Sequence, residues 1–520
     1  MKKILCLVLA VLVANTVVSQ NLTVVSGGSI TVTKSSNLFV QGNMTNTGTI
    51  TLNSASDQYS SLIINGTATG DVNYKRAVNA YTDNGNNDDN DLVSAPVSGQ
   101  TFGAFSSNSD NANLLASETL RAFAPFDKSV GAYVNYNTST NANTVITAGT
   151  GYRAATSDGG TLTFTGSVET STVAVNIQDS GPSYADWNLI GNPYPSYLNL
   201  AAFLNHEVSS GVTNLDILES ASGIYGYDGD VSDGWDIITL ANVGSRLLAP
   251  GQGFFVAADV ADVSTYDLEF TPAMRTTSSD DDFIAGRNSD NALTFFNLNL
   301  STSNKSYNTE FYFNANATSG LDAGYDAVVW GTDTSGFVIY SHLVENNTGA
   351  PIALQALGNG DLSAISIPLG VNANAGEQLT FSITEFNLPS SSTVYLEDSF
   401  KNTTTLLNSS DYVLTPVVNL SGTGRFYLRF TNHALSTTEN TLSSLNIFNE
   451  SANKRMVING VLQQSTTARI YDLQGREVGS QDLDSNKTSQ YMDVGYLSTG
   501  VYVVSLTNDQ QSISKKIIIN

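Results

Sequence analysis

The feature that most constrains this chain is a strand signal repeated along its length. Over residues 20–78 apolar and polar residues alternate in short runs: Leu22-Thr-Val24, Ile30-Thr-Val32, Leu38-Phe-Val40, Ile50-Thr-Leu52 and Leu62-Ile-Ile64. The runs recur about every ten residues, separated by Gly, Asn and Ser turns such as Asn65-Gly66. Alternation of period two buries one face of a strand, and it does not suit a helix. The spacing predicts a few rungs of a β-helix or a small stack of hairpins over residues 20–80, packed at its ends on the next part of the chain. Composition extends this to the whole chain. Only 13% of the 520 residues are charged, so the Glu, Lys and Arg that long helices use are scarce, while Val, Ile, Thr, Tyr and Phe are plentiful. The expected class is all-β, and the length allows about three or four domains.

The first residues read differently. Lys2 and Lys3 precede an apolar run over residues 4–14, and Val17 and Ser19 stand where a signal peptidase wants small residues. Residues 1–19 are expected to be a signal peptide cleaved before Gln20. No later stretch is long and apolar enough to suggest a transmembrane helix. The one cysteine, Cys6, falls inside this peptide, so the mature chain is expected to hold no disulfide or cysteine metal site. The formal net charge is −25, and losing two lysines makes it −27. A surface so acidic repels phosphate backbones, which argues against nucleic acid as a partner. It also offers oxygen ligands to hard cations.

Residues 81–180 and 181–280 read as two copies of one β module. Leu92-Val-Ser-Ala-Pro96 returns as Leu189-Ile-Gly-Asn-Pro193, Gly149-Thr-Gly-Tyr152 as Gly251-Gln-Gly-Phe254, and Leu162-Thr-Phe-Thr165 as Leu268-Glu-Phe-Thr271. The order is kept and the offset stays close to one hundred residues. Each Gly-x-Gly is expected to mark a tight turn before a buried strand, because no helix follows to hold a phosphate. An acidic link with Asp280, Asp281 and Asp282 leads to residues 284–436. There Leu293-Thr-Phe-Phe-Asn-Leu-Asn-Leu300, Leu379-Thr-Phe-Ser-Ile383 and Arg425-Phe-Tyr-Leu-Arg-Phe430 predict an antiparallel β-sandwich of two sheets. Residues 431–443 are polar and patternless, as in a linker.

Residues 444–520 form a last, small β unit. Its segments Ile470-Tyr-Asp-Leu-Gln-Gly-Arg-Glu-Val478, Leu497-Ser-Thr-Gly-Val-Tyr-Val-Val504 and Lys515-Lys-Ile-Ile-Ile-Asn520 come in the order and place that resemble the type A sorting domain of type IX secretion in Bacteroidetes. The sorting-motif residues on that resemblance are Tyr471, Asp472, Leu473, Gly475, Arg476, Gly500, Tyr502 and Lys516. Asp472 and Gly475 would set the turn, and Tyr471, Leu473, Val478 and Tyr502 the core of a small C-terminal β-sandwich. The resemblance implies export to the cell surface or beyond, with the type IX machinery and a surface peptidase that removes the domain as partners. The body is also similar to flavobacterial surface proteins of unassigned or adhesive role, through Trp187-Asn-Leu-Ile-Gly-Asn-Pro-Tyr-Pro195 and Val394-Tyr-Leu-Glu-Asp-Ser399.

Chemistry is harder to find. His206, His342 and His433 are scattered, none at metal-ligand spacing, and no P-loop, G-x-S-x-G or H-E-x-x-H occurs. No cofactor is expected except calcium, for which two acidic runs offer ligands: Asp83, Asp88, Asp89 and Asp91, and Asp228, Asp230, Asp233 and Asp236. Neither run fits the twelve-residue EF-hand, and both also suit ordinary solvated turns. Trp187, Trp235 and Trp330 could stack on sugars or fill cores. The function expected is non-enzymatic contact outside the cell, by adhesion or glycan or matrix binding. The alternative is a secreted polysaccharide-acting hydrolase, needing only two carboxylates, or its carbohydrate-binding accessory module.

Overall fold

The computed structural model describes residues 16–81, 90–227, 235–278, 293–359, 365–388, 392–430, 442, 445–462, 464–485, 487–508 and 511–519. Among them α-helix is confined to Phe102–Ser107 and Leu200–Leu204, and strands are the commonest element. The chain divides into two compact units, one of Met1–Ile217, Gly226–Gly229 and Ser245–Asn288, the other of Leu218–Tyr225, Asp230–Gly244 and Ser289–Asn520.

The first unit opens as a β-helix, the first of the two arrangements expected. Thr16–Ser19, Asn37–Val40 and Ser61–Ile64 pair in parallel on one face. Leu22–Val24, Met44–Asn46 and Ala68–Thr69 form a second face, and Ser29–Val32, Thr49–Leu52 and Asp71–Ala77 a third. Residues one rung apart stack inward, so Leu38 lies beside Leu62 and Ile30 beside Ile50. One corner is tied by an asparagine ladder. The Asn43 N–H donates to Asn21 Oδ1 (2.8 Å), and the Thr67 N–H donates to Asn43 Oδ1 (2.9 Å). Gly42 and Gly66 lie against those oxygens, where a Cβ would collide. The first strand, Thr16–Ser19, lies inside the segment read as signal peptide. Cleavage before Gln20 would strip it and leave Asn37–Val40 unpaired on that side.

The solenoid does not end in solvent. Asp71–Ala77 pairs antiparallel with Thr161–Ser167, and one continuous core runs from Leu38, Leu62 and Ile50 to Phe102, Phe105, Phe123 and Phe164. The segments matched in sequence then take equivalent places. Asp91–Ser94 pairs with Gly151–Ala154, Leu92 opposite Arg153, and Trp187–Gly191 pairs with Gly253–Ala257, Leu189 opposite Phe255. At the matched offsets these are the same register. In each pair the first strand leads to a short helix that precedes the second strand, capped by the Thr101 and Asn199 side chains.

A buried asparagine completes each module. Asn111 donates to the carbonyls of Phe105 (2.9 Å) and Thr163 (3.0 Å) and accepts the Thr163 N–H (2.6 Å). Asn214 donates to the carbonyls of Phe203 (2.8 Å) and Glu269 (2.9 Å) and accepts the Glu269 N–H (2.9 Å). Each amide thus acts as an extra strand residue, locking helix to sheet. Above it Phe105 packs on Phe164 (ring centroids 4.9 Å apart) and Phe203 on Phe270 (4.7 Å). Asn111→Ala and Asn214→Ala should each cost about 1–3 kcal/mol, since either leaves a strand N–H and two carbonyls without their buried partner. Urea unfolding checks this, and a loss in only one variant would break the equivalence of the two modules.

The two modules meet reciprocally. The Ser94 N–H donates to the Gly251 carbonyl (2.8 Å), and the Gly191 N–H to the Gly149 carbonyl (2.9 Å). Gly149 and Gly251 have φ of +82° and +68°, which other residues adopt only with strain. The second glycine of each pair is needed for closeness. A Cβ on Gly151 would strike the Ile190 carbonyl, and one on Gly253 would strike the backbone of residues 92–93. Each Gly-x-Gly therefore turns the chain and admits the other module's strand.

In the second unit, the strands of 294–430 form one continuous eleven-stranded sheet rather than two separate ones. It is antiparallel except where Ser306–Phe313 lies parallel to Ile352–Leu357, a neighbour reached through a long crossover. The sheet curls around Phe296, Leu298, Phe311, Leu369, Phe381 and Leu428. It curls far enough that Tyr412, on an edge strand, donates to Asp398 (2.6 Å) near the opposite edge.

Candidate functional site: the C-terminal sorting domain

The C-terminal domain is a sandwich of a three-stranded sheet (Asn446–Glu450, Arg455–Asn459, Ser489–Asp493) and a four-stranded sheet (Glu477–Leu483, Thr466–Tyr471, Gly500–Thr507, Ser512–Ile519). Its core includes Ile447, Met456, Ile458, Ile470, Met492, Tyr502, Val504 and Ile517. The core begins earlier than the sequence indicated. Leu442, within the polar stretch read as linker, is 4% exposed in it, and its N–H donates to Gln511 Oε1 (2.9 Å).

The motif residues gather around one hairpin and its neighbour strands. Asp472 Oδ1 accepts the N–H groups of Gln474 (3.0 Å) and Arg476 (2.9 Å), while Oδ2 accepts from the Arg476 guanidinium (3.0 Å). The Gly475 N–H donates to the Asp472 carbonyl, and Gly475 has φ of +79°. These hydrogen bonds, the Arg476 N–H foremost, hold the Asp472 carboxyl below its ordinary value despite some desolvation. Arg476 itself stays largely exposed. Tyr471 faces Val503 across the sheet, Tyr502 faces Ile517, Lys516 faces Val503, and Gly500 faces Ile519. The Tyr502 hydroxyl donates to the Ser498 carbonyl (2.8 Å). Leu473 corrects the sequence reading: it is 72% exposed and takes no part in the core. It sits at the hairpin tip, where the turn points it outward and alternation no longer predicts burial.

The domain rests on the preceding sheet within its own unit. Phe448 stacks on His342 (ring centroids 5.5 Å apart), and the Asn347 amide donates to Asn446 Oδ1 (3.2 Å). Burial pushes the His342 imidazole down to about 4, against the opposing hydrogen bond to Asn347 Oδ1, so the ring packs there neutral.

The remaining candidates are dispersed. Asp83, Asp88, Asp89, Asp228, Asp230 and Asp233 lie outside the described residues, as do His433, most of the linker and the acidic link at Asp280, Asp281 and Asp282. Asp91 begins a strand and accepts the Asn79 N–H (2.6 Å), a structural task, and Asp236 begins the strand Asp236–Ile238. Among the described residues no three His, Cys, Asp or Glu side chains group to hold a metal ion. His206 pairs with Glu269 (3.0 Å). Trp187 is 2% exposed and belongs to a core. Its recurring segment is a fold-building one, in which buried Asn192 donates to the Ser196 and Ala249 carbonyls (2.8 and 3.0 Å). Trp235 and Trp330 instead stack on each other (centroids 5.0 Å apart, 19° between planes) and remain partly exposed. Sequence had no signal for that pairing across almost one hundred residues.

A small two-sheet domain closing a β-rich chain, with this hairpin and final strand, defines a class of exported proteins with a C-terminal address. Residues 445–520 match the secretion system C-terminal sorting domain. Residues 8–430 match the family described as Domain of unknown function (DUF8693), and the chain belongs to that family. The sorting domain marks the protein for type IX secretion to the cell surface or extracellular space. Among the described residues no helix is long and apolar enough to cross a membrane. No curated protein matches the chain. One solved structure, "Biofilm associated protein - BSP domain", aligns at 14% identity over 29% of this chain and 29% of its own, with a TM-score of 0.16. A likeness of that size carries no argument about fold or function.

Proposed function

We propose that this chain is a non-enzymatic protein delivered outside the cell to make contacts there, by adhesion or by glycan or matrix binding. The observation that carries the proposal is the sorting domain, joined to a body of tandem β modules that we read as including one duplicated unit. Such a body holds its connecting loops on a stiff frame, which is how β folds usually present binding residues. The stacked, partly exposed Trp235–Trp330 pair adds support for carbohydrate contact, since indole faces pack on sugar rings.

Two buried acids, Asp326 and Asp398, are not available as general acids. A general acid works with a pKa near neutrality, and burial pushes the Asp326 carboxyl up to about 7. Yet Asp326 is fully buried and accepts the N–H groups of Asp322 (2.7 Å) and Ala356 (2.8 Å), where no substrate can reach it. Asp398 is committed to Arg425 and Tyr412. The test is a glycan-array and whole-cell binding assay on the secreted protein, with product analysis of each bound polysaccharide. Binding with no turnover is the expected outcome, and release of shortened oligosaccharides would overturn the proposal in favour of a hydrolase.

A further inference from the structure

At one end of the eleven-stranded sheet four loops converge on a cavity of about 290 Å³. It is lined by Lys305 in a hairpin turn, by Phe337 just before the strand Val338–Ser341, by Asn374 just after the strand Ser366–Asn372, and by Asn419 with its neighbours. The size lies near the lower end for small-molecule sites, roughly 300 Å³, and suits a single sugar ring. From this geometry we infer that the cavity binds one ring of a neutral saccharide, an inference that rests on the carbohydrate-contact reading above.

Three observations carry it. The first is charge. The Lys305 ammonium is paired with Glu377 at 3.1 Å, so the one cation on the wall is compensated and a phosphate or carboxylate gains little there. The second is the wall itself. Asn419 uses its carbonyl oxygen to accept the Ala375 N–H (2.9 Å), leaving its NH2 to donate, and the amide of Asn374 lies on an exposed loop. These groups exchange hydrogen bonds with hydroxyls, while the part of the Phe337 ring not packed on the core or met by the Lys305 ammonium (5.7 Å from its centroid) offers an apolar surface for a sugar C–H. The third is preorganisation. Ala373 and Leu420 exchange two backbone hydrogen bonds (3.2 and 2.9 Å), the Gly376 N–H donates to the Pro416 carbonyl (2.8 Å), and Asn372 accepts the Gly422 N–H (2.7 Å) while donating to Thr334. Loops already tied together lose little entropy when a ligand arrives.

The test uses the full chain. A glycan array identifies neutral oligosaccharides that bind, and titration calorimetry then compares wild type with Phe337→Ala and Asn419→Ala. Each variant should weaken binding roughly tenfold or more, with some loss of melting temperature because Phe337 also packs on the core and Asn419 also holds the Ala375 N–H. Asn374→Ala, on its exposed loop, supplies the same comparison with an unchanged melting temperature. Unchanged affinity in folded variants would remove this site and leave the contact reading standing. Array hits restricted to sialylated, uronic or sulfated glycans would overturn the neutral-sugar assignment. Absence of any glycan hit would overturn both this site and the carbohydrate-contact reading, leaving adhesion to other partners.

Discussion

Replacing Asp398 by Asn should destabilise the second unit by about 3–5 kcal/mol, the usual cost of breaking a buried ion pair from one side. The Asp398 side chain is 0% exposed, and its carboxylate accepts from Arg425 Nε (3.0 Å) and a second guanidinium nitrogen (2.6 Å), from the Tyr412 hydroxyl (2.6 Å) and from the N–H groups of Phe400 and Lys401. An amide satisfies only part of this set and leaves the guanidinium, 15% exposed, without its counter-charge. Burial opposes ionisation of Asp398, but the hydrogen bonds from Arg425 and Tyr412 outweigh it and hold the carboxyl below its ordinary value. A carboxyl depressed in the fold stabilises above its unfolded pKa, and that contribution fades as pH falls through the folded value. Wild type should therefore lose stability below about pH 4, and the variant should lose less over the same range. Denaturant titration at pH 7 and at pH 3 reads both effects. A variant as stable as wild type at neutral pH would show that the pair contributes nothing net.

Removing residues 442–520 should abolish delivery to the cell surface and strand the protein in the periplasm. The cut belongs at Leu442 rather than 444, because Leu442 is part of the domain core and a remnant would leave it exposed. Cell fractionation with antibody detection measures the outcome, and surface labelling equal to wild type would sink the assignment of residues 445–520 as an address. The deletion also uncovers the contact of Phe448 with His342, so the truncated body should be checked for folding by circular dichroism.

Much of the architecture was legible because it rests on local rules. Alternation located the solenoid strands, since Leu38, Ile50 and Leu62 must all point inward. Gly149 and Gly251 were legible as turn glycines, because each takes a left-handed backbone that few residues tolerate. What escaped was set by distant partners. Nothing around Asn111 or Asn214 marks them as bridges, since their hydrogen bonds reach strands about 50 residues further along the chain. The joining of all eleven strands into one sheet depends on the parallel pairing of Ser306–Phe313 with Ile352–Leu357, which no local pattern encodes. Leu473 misled for the opposite reason: its neighbours fit a strand, but one turn outranks them. The saccharide cavity is drawn from four separated loops, so spacing could not have found it.

The reciprocal hydrogen bonds between the two modules have a kinetic consequence. The first module pairs its own strands within residues 91–154, but Ser94 meets Gly251 only after the chain has been threaded past residue 251. Contacts of such high sequence separation form late and slowly. During export the core of residues 24–168 has all its partners early, while the edge that receives the second module should stay uncovered until residue 251 arrives. A chain cut short between residues 180 and 250 should keep that first core but leave the Ser94 edge without its partner at Gly251.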